Sequence, residues 1–269
     1  MQAGHLLSEW RRNRRLSQLD LAMRAEVSSR HLSFVETGRA QPSAGLLQRL
    51  AEALDLSCRD TNHLLVAAGH PPRFSETRLD DPAMAPVRRA LEVMLENHSP
   101  YPAAVLDAHW NLLLANPAQQ ALIQAVVAEG GPLPQTGNMV ELVFHPEGFR
   151  PFIANWETVA GFLLRRLRRD LDTRPDTVLR ALYQRLSELA DVDALLEHTP
   201  ASVEPMLTLE LDIAGRRLRT FSTLACFGTA VDVVVEELRI EHYFPADDAT
   251  RAFFEEAGGF DRTDGPESV

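Results

Sequence analysis

Five side chains could do recognition chemistry together if residues 29–37 form a helix: Ser29, Arg30, Ser33, Phe34 and Thr37. At 3.6 residues per turn they share the outer side, while Leu32 and Val35, three apart, form the buried one. A short helix presenting small hydroxyls and a guanidinium can enter a major groove and exchange hydrogen bonds with base edges. The chain supplies the elements that must hold such a helix. Ser28 is a good N-cap, and Gly38 ends the helix. A preceding short helix starts at the cap Ser17, with Leu19, Leu21, Ala22 and Ala25 as its apolar side. Glu26-Val27 fits the turn, and Ala22 is small where two backbones must approach. Any pair of short amphipathic helices shares this periodicity, so the surrounding order matters. Leu7 and Trp10 sit on an earlier helix that carries Arg11, Arg12, Arg14 and Arg15. Pro42-Ser43 opens a fourth helix with Leu46, Leu47, Leu50 and Leu54. A fifth has Leu64, Leu65 and Val66 and closes at Gly69. The expectation for residues 1–70 is an all-α five-helix DNA-binding domain.

The stretch WRRNRRLSQLDLAMRAEVSSRHLSFVETGRAQPS resembles the XRE family, the lambda-repressor type of helix-turn-helix, and the likeness covers about residues 5–69. Its SQ, V-S, S-x-x-E-x-G and P-S signposts stand in the family's order and spacing. One departure is Glu26, where the family usually has a glycine, so the turn needs a backbone that tolerates glutamate. By position, the resemblance implies that Gln18 contacts a phosphate and braces the next helix. It places Ser29 and Arg30 at the start of the recognition helix, with Ser33, Phe34 and Thr37 one and two turns on. Arg30 suits a bidentate contact to guanine and Phe34 a thymine methyl. Arg39 and Arg12 suit phosphates, which fix register without specifying sequence. Glu36 is expected to point inward and pair with an arginine of the first helix. Such domains generally bind double-stranded DNA as homodimers on two half-sites.

Charge is distributed to match. The whole chain of 269 residues carries a net charge of −11. Residues 1–70 hold nine arginines against seven acids, a balance of +2, and the remainder has −13. An acidic remainder is repelled by phosphate, so the DNA face belongs to the first segment. At about 150 residues per domain the length suits two domains, and 45% hydrophobic residues suit buried cores. Cys58 and Cys226 lie far apart, in different expected domains and outside any metal-ligand spacing. No stretch approaches the roughly 20 apolar residues of a membrane span, and the N-terminus lacks a signal peptide's apolar core. The expectation is a reducing, cytoplasmic setting and no membrane partner.

Residues 71–86, with Pro71, Pro72, Pro82 and Pro86, read as an extended linker. A helix from about Pro86 to His98 carries Val87, Ala90, Leu91, Met94 and Leu95 on one side, to pack on its own domain or on a second copy. Ala104–Leu106 and Trp110–Ala115 read as strands around a turn at Asp107–His109, and Asn116 caps a helix with Pro117 first. That order is how PAS-type sensor domains tend to begin. A loop covers 130–137, then helical repeats run over 152–171 and 178–189. Leu207, Leu209, Leu211 and Ile213 alternate with polar residues as a half-buried strand, and Ala214-Gly215 turns. Arg217–Phe227 and Ala230–Tyr243 read as two further strands, with a bulge or an end at Glu236-Glu237. Asp247–Ala257 is a last helix stopped by Gly258-Gly259, and 261–269 is a polar, mobile tail. The expectation for 87–260 is an α+β PAS-like domain, an antiparallel sheet with helices on one face.

YPAAVLDAHWNLLLAN followed by NMVELVFHPEGFRPFIANWETVA and three closing strands is similar to the MmyB-like regulators, over about 86–256. Asn138, Phe144 and Pro146 stand for one family core, Trp156 and Ala160 for another. The tryptophan and His-Pro-x-Gly elements sought later in the chain are replaced by LLEHTPASVEP. The resemblance implies a sensor for a small apolar ligand of the fatty-acid type. Trp110, Phe144, Phe149, Phe152 and Trp156 can line such a pocket or serve as ordinary core. Arg165, Arg166, Arg168 and Arg169 can hold a carboxylate or form a solvated helix surface. His98, His109, His145, His198 and His242 show no paired ligand spacing, so no metal and no cofactor is expected. Ser99, Asp107 and His109 lack a nucleophile elbow, and no phosphate loop is present, so no enzyme is expected. Two readings follow: a ligand-responsive transcription regulator, or a DNA-binding scaffold whose rear domain only dimerises or docks a protein.

Overall fold

Serine hydroxyls start the helices of the first seventy residues. In the computed structural model, which describes residues 3–173, 176–198, 206–213 and 215–257, they are α1 (Ala3–Asn13), α2 (Gln18–Arg24), α3 (Ser29–Glu36), α4 (Ala44–Ala53) and α5 (Cys58–Ala67). Ser17, Ser28, Ser43 and Ser57, all in extended backbone, each accept from the N–H three residues on. Asp20 returns the bond to Ser17 and completes a capping box. Leu7, Trp10, Leu21, Leu32, Val35, Leu47, Leu50 and Leu64 form one core. Gly4 lets α1 lie against α3, for a Cβ there would stand 2.4 Å from the carbonyl oxygen of Val35. Leu19 and Val66 depart from expectation, being 59% and 57% exposed. Two residues turn a helix by about 200°, so Leu19 faces away from Leu21, and Val66 away from Leu64.

The chain divides into two units: residues up to Ala85 together with Phe227–Glu237, and the rest. The stretch read as a linker therefore packs within the first unit. The Asn62 side chain holds the backbone of Arg73 and Phe74 through three hydrogen bonds, and Met84 is buried.

The second unit contains α6 (Ala85–Glu96) from Pro86 on, β1 (Ala103–Leu106), β2 (Leu112–Ala115), α7 (Pro117–Gly130), α8 (Met139–Phe144), α9 (Trp156–Thr173), α10 (Thr177–Leu189), α11 (Val192–His198), β3 (Leu209–Ile213) and β4 (Arg216–Ala225). After α12 (Val233–Glu237), which belongs to the first unit, come β5 (Arg239–Pro245) and α13 (Asp248–Ala257). The strands form one antiparallel sheet in the order β2-β1-β5-β4-β3, the α+β, PAS-like class expected. Asn116 caps α7, and its side chain also accepts from Ala103 and donates to Tyr101. Gly258-Gly259, Ala214 and the 261–269 tail lie outside the described residues.

The strand expected over 230–243 is broken. Asp232 accepts from the N–H groups of Val234 and Val235 and starts α12. Val233 and Val235 are buried. Tertiary burial here overrides the strand preference of a valine run. The same carboxylate accepts from Thr77, and Val233 donates to Ser75. Glu236 accepts from the N–H of Cys58 at 2.7 Å, satisfying a donor at the positive end of α5. Arg59 clasps both oxygens of Glu237 at 2.8 and 2.9 Å. Burial, with Glu236 beside it, pushes the Cys58 thiol up to about 11.

Candidate DNA-reading helix and ligand cavity

Position on α3 follows from its buried side, Leu32 and Val35. Ser29, Arg30 and Thr37 are exposed, and Ser33 and Phe34 half-buried. The Arg30 guanidinium lies 5.5 Å over the Phe34 ring. Thr37 ends the helix, and its hydroxyl donates to the Ser33 carbonyl at 2.7 Å, which leaves its lone pairs outward. Arg12 and Arg39 are exposed beside this surface's own elements, on α1 and just after α3.

Beneath α3 lies a polar lock. Arg11 donates to Glu36 through Nε at 2.7 Å and Nη2 at 2.9 Å, and Gln18 Nε2 donates to Glu36 at 2.7 Å. The Arg11 and Glu36 side chains are 10% and 4% exposed. Burial alone would raise the Glu36 carboxyl, but the hydrogen bonds from Arg11 and Gln18 outweigh it and hold the group below its ordinary range. This is the inward pairing expected of Glu36, and it gives Gln18 the bracing half of its expected role. Glu26 sits in left-handed backbone at φ 54°. The turn keeps its shape because Val27 donates to Ala22 at 2.9 Å, with the strain carried by a residue that has a Cβ.

In the second unit, α8 and α9 face β3, β4 and β5 across a cavity of about 290 Å³. Pairing Ser222 with Tyr243 and Leu224 with Glu241 puts these four on one sheet face. Met139, Val140 and Val143 come from α8, Val159, Phe162, Leu163 and Arg166 from α9, and Leu209 from β3. Phe162 and Met206, 42% and 49% exposed, mark the opening. Apolar walls with few polar groups are the general form of a small-molecule site. Glu241 accepts from Ser222 at 2.8 Å and from Tyr243. Burial raises its carboxyl above the usual range, although those two donors and the Arg166 charge oppose the shift. Burial, then the Glu241 charge, lifts the Tyr243 hydroxyl well above a free phenol.

Of the five aromatics named from the sequence, Trp110 lines this cavity. It has φ 71°, a strained setting for a bulky residue, reached through a turn in which Asp107 accepts from His109 and Asn111. The guanidinium groups of Arg166 and Arg239 stand 4.9 and 4.4 Å from its ring centroid. Its buried Nε1–H has no protein partner.

Phe149 lines a smaller adjoining space of about 50 Å³. Phe144 does not line the cavity: it is fully buried in the core and packs edge-on against Trp156. Phe152 packs on the core beside Gly130. Trp156 donates to the Val143 carbonyl at 2.9 Å and turns its face to Arg150, on an open depression shared with Glu157, Asp191 and Glu197. Of the four arginines on α9, Arg166 alone borders the cavity. Glu241, Ser222 and Tyr243 escaped the sequence reading, although they fall in phase with the inward positions of β4 and β5. So did His145-Pro146-Glu147-Gly148, a His-Pro-x-Gly element that lies earlier than where it was sought. There Gly148 is required, since a Cβ would stand 2.2 Å from the Leu142 carbonyl oxygen.

Among the described residues no group of three metal-ligating side chains occurs, and no helix is long and apolar enough to cross a membrane. The His109 ring stands 3.1 Å from Asp176, while of that residue Asp107 accepts only the backbone N–H. Cys58 is buried and Cys226 exposed, both as free thiols.

Comparison with known families agrees with both halves. Residues 87–257 match the MmyB-like transcription regulator ligand binding domain, and residues 7–60 match the helix-turn-helix family model. Among curated proteins none matches the chain significantly.

Proposed function

This chain belongs to the MmyB-like transcription regulators, and we propose that it reads its operator as a cytoplasmic homodimer under control of a small apolar ligand of the fatty-acid type. The largely apolar cavity of about 290 Å³, open at Phe162 and Met206, carries the reading. A domain that only dimerised would fill that volume with side chains, as cores generally do. At the DNA end, Arg30 would take guanine in the major groove, with Ser29, Ser33, Phe34 and Thr37 on neighbouring base edges. Gln18, Arg12 and Arg39 would hold phosphates. A ligand changes operator affinity only by preferring one arrangement of the protein over another. Operator binding should therefore differ between loaded and stripped protein.

Native mass spectrometry of the purified chain, joined to an operator titration before and after delipidation, tests this. The expected result is a retained apolar mass and a changed operator affinity. A ligand-free protein whose DNA binding ignores added fatty acids would support the scaffold reading instead.

A further inference from the structure

The cavity has an inner continuation. Met139, Val143, Leu209 and Tyr243 line both the main space and the smaller one of about 50 Å³. Walls such as Leu122, Phe149 and Phe254 make the inner space apolar, with no acidic or basic side chain among them. Besides Tyr243, whose hydroxyl is taken by Glu241, two polar residues break that pattern: Gln119 near the start of α7, and Thr220 on β4 in phase with Leu218. They are 2% and 3% exposed. Neither Gln119 Oε1 nor Thr220 Oγ1 has a hydrogen-bond partner in the protein. Buried polar atoms are rarely left so, and here both belong to residues that line one small space.

The chemistry of the pair is specific. An amide oxygen needs a donor, and a threonine hydroxyl can donate. A hydroxyl group that reached both atoms would donate to Gln119 and accept from Thr220. A carboxylate would meet an acceptor and no cation, the costly case for a buried charge. The main space differs in carrying a cation, the Arg166 guanidinium, which suits an anionic acceptor; it stands there with the Glu241 carboxyl, already held by Ser222 and Tyr243, and the unpartnered Trp110 Nε1–H.

We propose that the inner space is a subsite for an uncharged hydroxyl at the far end of an aliphatic acid. The sensor's ligand is then a hydroxylated fatty acid with its carboxylate toward Trp110 and Arg166. This rests on the sensing role proposed above and adds the selectivity between plain and hydroxylated chains.

Calorimetry on the full, delipidated chain with decanoate and 10-hydroxydecanoate tests it. The hydroxylated acid should bind about tenfold tighter or more, the discrimination expected when a site's polar groups would otherwise stay unpaired. Thr220→Val and Gln119→Leu should each bring that ratio close to one while keeping decanoate binding, which also shows that the variants fold. Equal affinities in the unmodified chain would mean that water alone occupies the space, and would overturn the subsite while leaving sensing intact. A preference that survives both substitutions would overturn it too. Binding of neither acid would sink the fatty-acid sensing role and the subsite with it.

Discussion

Replacing Glu36 by alanine should cost the DNA-binding unit a large part of its stability. The carboxylate takes three donors, two from Arg11 and one from Gln18, within 2.9 Å. Its removal leaves a guanidinium only 10% exposed with the Leu16 carbonyl as its other partner. Breaking a buried pair from one side costs about 3–5 kcal/mol, because the remaining charge stays buried. A unit of this size has about 5–14 kcal/mol in total, and about 4–8 °C of melting temperature follows each kcal/mol. The unit's transition should fall by at least about 12 °C on that scale. Hydrogen exchange read by mass spectrometry on peptides of α1 to α3 isolates this unit from the other. The double change Arg11→Met with Glu36→Leu should recover much of the loss, since apolar replacement of a whole buried pair is often near neutral. The folded carboxyl lies below its unfolded value. Its contribution is therefore present above the unfolded pKa of about 4.3 and is lost as pH falls through the folded one. A loss under about 1 kcal/mol, the behaviour of a surface pair, or a double variant no better than the single one, would refute the reasoning.

Three other expectations can be measured directly. Arg30→Ala should relax operator preference by about 1–3 kcal/mol, whereas Arg12→Ala should weaken specific and random DNA alike; equal loss on both DNAs in both variants would contradict that division. Glu241→Gln should stabilise the second unit at neutral pH and lose its advantage toward pH ~4, because the raised folded carboxyl costs stability as pH rises through it; urea melts showing a pH-independent difference would count against this. Glu26→Gly should stabilise the first unit by about 1 kcal/mol by relieving left-handed backbone, and an unchanged or lower denaturant midpoint would show that the turn carries no strain.

Local chemistry was the most legible layer of the sequence. Ser17, Ser28, Ser43 and Asn116 announce their helices because a cap needs only its own next turn. Glu36 could be placed because its position on α3 fixes its direction. What escaped depends on distant partners. The run Val231–Val235 reads as strand until Asp232 starts a helix there and the first unit buries Val233. That misreading hid the register of β5, and with it the inward aim of Glu241 and Tyr243. Aromatic size alone could not separate Trp110 and Phe149, at the cavity walls, from Phe144, Phe152 and Trp156, which serve the packing around them.

The eleven residues Phe227–Glu237 carry a consequence for how such proteins can be recombined. They belong to the first unit by packing yet are encoded between two strands of the second. A single joint at residue 85 would part the head from Val233, from the Glu236 acceptor of Cys58 and from the Glu237 acceptor of Arg59. A chimaera that borrows this head must carry over both pieces, so one crossover is not enough to exchange it intact.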